Sequence, residues 1–212
     1  MALVFVGALS RWFAEFGAAG AANASRLRPG IEAWREDLRA SVADKVRAEL
    51  HWDEGAATTC VHDLGDSGFL AARLLGFLAD RSELEWPDTV PPLLEMLPEW
   101  RADADAKFPR SRYGQLLACH VWLPGDFPVT FRVPMPDGEA AEIGSVQALA
   151  DQLKWLNQRT FQADAEEVAR WRRLPAPPGG EFVAAARRGL GGLLDAAGAA
   201  REWRLPIVVR QA

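Results

Sequence analysis

The strongest constraint in the chain is one long amphipathic stripe. Charged residues fill the face opposite it, as expected for a helix that buries one side. The apolar side chains recur at steps of three and four as Ile31, Trp34, Leu38, Val42, Val46 and Leu50. We therefore predict a helix over residues 29–50, with Pro29 in its first turn, and a partner layer that covers the stripe.

Short β-prone runs alternate with helical stripes along the rest of the chain. Apolar runs at 2–7 and 57–64 predict strands, because each is short and bounded by glycine. The runs at 114–123 and 127–133 are separated by the turn signal Pro124–Asp126, so they predict a hairpin. Prolines within and after the second run favour an edge strand.

These elements predict the fold class α+β. We expect a mostly helical single domain over residues 1–212, with a small mixed or antiparallel sheet that includes a hairpin near 114–133. The proline- and glycine-rich stretch 175–180 predicts a linker to a docked C-terminal helix and strand. A chain of this length buries about 70% of its surface, so its core needs neither metal nor disulfide.

Charge and composition narrow the functional classes. The net charge is −5, which argues against a nucleic-acid partner and permits a basic protein partner. No apolar run approaches the length of a membrane-spanning helix, so we expect no membrane partner. Two cysteines are too few for a secreted disulfide framework. Together with an arginine-rich usage typical of GC-rich codons, this predicts a bacterial, cytoplasmic protein.

The histidines are the candidates for chemistry. His62 with Asp63 and Asp66 is a possible general-base site at a strand end, and His120 is a further catalytic candidate. Neighbours in a strand point to opposite faces, so Asp63 is not expected to orient His62, and Asp66 is more simply a helix cap.

Two cysteines and two histidines lie in neighbouring pairs, a residue set that can form a zinc site. Cys119 and His120 are consecutive, so their side chains diverge and do not readily reach one ion. We therefore predict no metal site. No phosphate-binding or dinucleotide motif is present, and no cofactor is predicted. The glycines at 189–192 sit inside a helical pattern and predict a close helix–helix approach instead.

Tryptophan is the unusual residue of this composition, with nine against a single tyrosine. Most follow apolar stripes and are expected in the core. Trp52 and Trp86 fall at element ends beside acidic residues, and Trp155 lies off its helical stripe. An indole at a rim is a common interface anchor, so these three are the candidate binding residues.

The leading hypothesis is a non-catalytic protein-interaction module. One concrete version is an immunity-type protein that masks a basic toxin. The first alternative is a small hydrolase or metal-dependent enzyme that uses His62, Asp63, Asp66 and His120. The second alternative is small-ligand binding in a Trp-lined groove. The oligomeric state is not predicted.

Overall fold

The computed structural model describes residues 2–17, 24–47, 49–108, 110–173 and 180–211. Its strands are β1 Ala2–Val6, β2 Cys60–Gly65, β3 Val121–Leu123, β4 Phe131–Pro134, β5 Ala140–Ser145 and β6 Ile207–Gln211. Its helices are α1 Leu9–Phe16, α2 Ala24–Val42, α3 Gly68–Ala79, α4 Pro98–Asp105, α5 Gly114–Ala118, α6 Val146–Arg159, α7 Ala165–Arg173 and α8 Phe182–Trp203. Apart from Gly180, the predicted linker 175–180 lies outside the described residues.

The six strands form one mixed sheet in the order β2-β1-β6-β3-β5-β4. The β3–β5 pair is parallel, and the other neighbouring strands are antiparallel. Helices α3, α6 and α8 pack against one another, and α8 lies against β1 and β2. The α+β prediction with a small mixed sheet is confirmed. The strand predicted at the C-terminal end, β6, lies in the middle of the sheet.

The predicted hairpin near 114–133 is wrong in its pairing. Residues 114–118 form α5 instead of a strand, and β3 pairs with β5 and β6 instead of β4. The hairpin is formed by β4 and β5 across the turn at Asp137–Gly138. An apolar run of this length is satisfied by burial in either conformation, so its periodicity does not select the strand. The predicted edge position is confirmed for β4.

The long helix starts earlier and ends sooner than its stripe predicts. Helix α2 begins at Ala24, contains Pro29, and ends at Val42. Val46 and Leu50 are still buried, although they lie in the turn and extended segment that follow. Their spacing extended the apolar pattern because both side chains belong to the same hydrophobic core as the helix stripe.

A distant carboxylate caps helix α1, which has no side-chain cap at its own first residue. The Glu54 carboxylate accepts from the backbone nitrogens of Leu9 at 3.1 Å and Ser10 at 2.9 Å, and from Nε1 of Trp52. An anion at a helix N-terminus is favoured by the helix dipole. This contact holds the segment after α2 against α1 and keeps Trp52 inside, where it is 1% exposed.

Helices α3 and α8 approach through glycine, as the sequence predicts. A Cβ on Gly189 would overlap the carbonyl oxygen of Gly68 at the start of α3. A Cβ on Gly192 would overlap the side chain of Leu64 at the end of β2. The two glycines therefore let α8 lie closer to α3 and to the sheet than any other residue allows.

No helix among the described residues has both the length and the hydropathy needed to cross a membrane.

Substituting Gly189 tests the close helix approach. We expect Gly189→Ala to lower the free energy of unfolding by about 2 kcal/mol or more, because the added methyl group forces the helices apart. Gly198→Ala is the matched control on the same helix, since a Cβ there meets no atom within 4 Å. The control is expected to be neutral or to stabilise by up to about 1 kcal/mol. Urea denaturation measures both; equal effects would contradict the close approach.

Candidate functional site

The structure separates His62 from the aspartates predicted to act with it. On β2, His62 is half-buried and Asp63 is exposed, so the two side chains leave the strand on opposite faces. The Asp63 carboxylate accepts from the backbone nitrogen of Gly65 at 2.7 Å, and Arg188 of α8 donates to the Asp63 carbonyl at 3.0 Å. Asp66 is exposed, one residue before the N-cap of α3. The contacts of Asp63 therefore serve local structure.

His62 instead meets a cysteine and a carboxylate that sequence reasoning did not connect to it. Its Nε2 lies 3.4 Å from Sγ of Cys60, two residues earlier on the same face of β2. Its Nδ1 lies 3.6 Å from Oδ2 of Asp195 on α8. The same Asp195 oxygen forms an ion pair with Arg172 of α7. The contacts therefore connect four groups in sequence: the thiol of Cys60, the imidazole of His62, the carboxylate of Asp195 and the guanidinium of Arg172.

The electrostatics of this cluster work against nucleophilic chemistry. Burial, with a smaller effect of Asp195, raises the pKa of the Cys60 thiol to about 11. Burial lowers the pKa of His62, Asp195 opposes that change, and Arg172 adds to it. At neutral pH a neutral thiol therefore faces a neutral imidazole, whereas cysteine chemistry requires the thiolate. The ion pairs of the cluster connect β2 with α8, and α8 with α7.

His120 is partly buried beside a cation. Its ring packs edge-on against Phe69 at a centroid distance of 5.5 Å. Arg73 of α3 is buried close by and donates to the carbonyl oxygen of Leu117. Burial and the positive charge of Arg73 lower the pKa of His120 to about 4, while a hydrogen bond to Gln211 and the charge of Glu95 oppose this. His120 is therefore neutral at physiological pH.

The two histidines belong to different parts of the sheet. His62 lies on β2 and His120 directly precedes β3, with β1 and β6 between these strands. Three strand spacings correspond to about 14 Å, too far for a shared substrate or metal ion. Within the described residues, no group of three or more His, Cys, Asp or Glu side chains is arranged to hold a metal. Cys60 and Cys119 are free thiols.

The three candidate tryptophans divide between core and surface. Trp52 is buried, which removes it from the candidate interface residues. Trp86 is 40% exposed, and its ring packs edge-on against Phe161 and Phe182. Trp155 is 54% exposed on the outer face of α6. Trp86 and Trp155 therefore retain the surface position that an interface anchor needs.

Trp86 lies in the most acidic part of the chain, residues 80–107, which we call the acidic segment. It contains eight acidic and three basic residues, so its formal charge of −5 equals that of the whole protein. The rest of the chain is formally neutral. Exposed carboxylates of the segment include those of Glu83, Glu85 and Asp88. Counting charge by segment rather than over the whole chain would have found this feature from the sequence.

The acidic segment also exposes apolar side chains. Six large apolar residues are exposed among those the structure describes, and three of them lie here. Leu93 and Met96 are each 60% exposed, and Trp86 is 40% exposed. The segment thus combines an excess of negative charge with exposed apolar side chains.

Several contacts hold the acidic segment in place although little of it is regular structure. The Asp88 carbonyl accepts from the nitrogen of Phe182, and the Val90 nitrogen donates to Gly180, both at 2.9 Å. Trp100 is buried, and Arg101 donates to the carbonyl of Glu95 at 2.8 Å. These contacts order the segment within the protein itself.

Lowering the pH tests the neutral state of His120. Its lowered pKa means that the unfolded chain takes up a proton more readily than the folded protein. Stability is thus complete above the ordinary histidine pKa and is lost as pH falls. We expect the free energy of unfolding to drop by up to about 3 kcal/mol between about pH 6.5 and about pH 4.

Urea denaturation across this range measures the loss. His120→Gln should remove most of it, whereas a matched change at the exposed residue His51, His51→Gln, should leave it intact. An undiminished loss in His120→Gln would show that other groups cause the acid sensitivity.

Comparison with known proteins adds no functional assignment. A scan against protein-family models, a search of curated proteins and a search of solved structures each return no match.

Proposed function

We propose that this protein is a non-catalytic interaction module that binds a basic protein through its acidic segment. Two features of residues 80–107 support it. They carry a formal charge equal to that of the whole protein, and they include three of the six large apolar side chains that are exposed among the described residues. Complementary charge speeds encounter and selects the partner, while apolar anchors supply binding energy. An immunity-type protein that masks a basic toxin is the specific form of this proposal.

The proposal places the protein in the bacterial cytoplasm. Its two unpaired thiols suit a reducing compartment. The same excess of carboxylates disfavours nucleic acid as the partner, because phosphate groups would be repelled. A catalytic role is disfavoured because His62 and His120 are shifted towards their neutral forms and lie on different parts of the sheet.

Charge reversal in the acidic segment tests the proposal. The protein is used to capture partners from its host, and a captured protein is purified and titrated at several salt concentrations. We expect a basic partner that forms a one-to-one complex whose affinity falls as salt rises. The triple variant Glu83→Lys, Glu85→Lys, Asp88→Lys should weaken binding about 100-fold, because attractive pairs become repulsive.

A second triple variant controls for net charge. Asp44, Glu139 and Glu202 are exposed outside the acidic segment, so reversing them changes the total charge equally. This control should change affinity less than about threefold, since screened charges outside an interface contribute little. Equal losses in both triple variants, or a captured partner that is not basic, would contradict the proposal.

Truncating the exposed apolar residues tests their role as anchors. Leu93→Ala combined with Met96→Ala should weaken binding of the same partner about 30-fold or more, because two anchors are lost. Both side chains are 60% exposed, so we expect little change in the thermal midpoint. Trp155→Ala is the matched control outside the acidic segment. If it weakens binding as much, the interface lies on α6 instead.

A further inference from the structure

A second surface feature, independent of the acidic segment, is an open pocket between α1, α2 and the β4–β5 turn. Its volume is about 600 Å³, within the range of small-molecule sites. Its apolar walls come from all three elements. The side chains that line it include Phe13, Leu27, Ile31, Trp34 and Pro136, together with the carboxylates of Asp37 and Asp137.

One face of α2 builds most of the pocket. Leu27, Ile31 and Trp34 are spaced by three and four residues, and Asp37 continues that face by one further turn. Gly30 lies among them and leaves the space in front of it open, because a Cβ there meets no atom within 4 Å. The pocket is therefore a groove along one helix face that has no side chain at its centre.

Trp34 is held in a defined position at this site. Its Nε1 donates to the carbonyl oxygen of Pro134 at 2.9 Å, and its ring lies 6.5 Å from that of Trp52. Trp52 is itself fixed by Glu54, as described above. A fixed indole ring presents a preorganised aromatic surface, and such surfaces attract cations through the ring quadrupole.

The charges around the pocket also have one sign. Asp37 and Asp137 line it, and no lysine or arginine is among the described residues that line it. Two cations of α2 are engaged elsewhere. Arg35 points inward and donates to the carbonyl of Trp52 at 2.6 Å, and Arg39 pairs with Glu36 at 2.8 Å. An anionic ligand is repelled by this lining, and a cationic one is attracted.

The Asp137 carboxylate has a fixed place at the pocket. Its Oδ1 accepts from the backbone nitrogen of Glu139 at 3.1 Å, inside the turn that joins β4 to β5. The carboxylate is thereby held at the turn, whereas Asp37 comes from α2, so the two aspartates line the pocket from different elements. This geometry suits a positive charge attached to an apolar body.

From these observations we propose that the pocket binds a small organic cation with an apolar body, of the alkyl quaternary ammonium class. Its apolar part contacts Phe13 and Ile31, and its charge lies near Trp34 and the two aspartates. This inference does not depend on the proposed partner of the acidic segment, because the two sites share no lining residue.

Calorimetric titration with octyltrimethylammonium tests the proposal. Octyl glucoside and octyl sulfate carry the same alkyl chain with a neutral and a negative head. We expect the cation to bind at least about tenfold more tightly than the neutral compound, and the anion not to bind. Equal affinity for the cation and the neutral compound, or no binding of the cation, would overturn the proposal.

Two matched variant pairs locate the binding. Asp37→Asn with Asp137→Asn should weaken cation binding about tenfold, whereas Asp44→Asn with Asp126→Asn, exposed outside the pocket, should not. Gly30→Leu should fill the groove and abolish binding without unfolding the protein, since its Cβ meets open space. Gly198→Leu, at another open position, is its control. Undiminished binding in Gly30→Leu at an unchanged thermal midpoint would place the ligand elsewhere.

Discussion

The contact between Gly68 of α3 and Gly189 of α8 sets the distance between these two helices, and the other helices pack around this pair. Glycine inside a helix costs up to about 1 kcal/mol relative to alanine, so its presence here needs a compensating gain. That gain is packing, since α3 is buried along nearly its whole length and the inner face of α8 is lined by small residues. The same helix brings Asp195 to His62 and Arg188 to Asp63.

Polar groups have different roles in the interior and at the surface. Inside, polar groups are used to hold elements together: Glu54 caps α1, and Gln115 bridges the backbone of Phe127 and Ser145. The partly buried titratable side chains of Cys60, His62 and His120 are shifted towards their neutral forms. The net negative charge of the protein lies on the acidic segment. Such a distribution fits recognition by charge better than proton transfer, which needs groups that change protonation near neutral pH.

Local signals in the sequence predicted the local features of the fold. Ser145 caps α6 through the nitrogen of Ala148, and Asp164 caps α7 through that of Glu167, a role common for serine and aspartate before a helix. The glycines at 189–192 also have the packing role that their helical context suggests. These features depend on neighbours within a few residues or on the absence of a side chain, both of which can be read directly.

Long-range partners could not be predicted in the same way. The β3 strand pairs with β5 and β6 because of the topology of the whole sheet, which no local run encodes. His62 meets Asp195 only because α8 packs on β2, and Trp52 is buried only because Glu54 reaches α1. The acidic segment differs, since its charge is visible in the sequence and only its exposure required the structure.

The central position of β6 has a consequence for how the protein folds. The β1–β2 pair and the three strands β3, β5 and β4 touch one another in the sheet only through β6. Pairing β1 with β6 joins residues near the two ends of this chain, so closure of the sheet has a high contact order and is expected to be slow. During synthesis the two halves of the sheet remain separate until residues 207–211 have emerged. Until then, the edges of β1 and β3 that later pair with β6 lack that partner and are open to association with other chains.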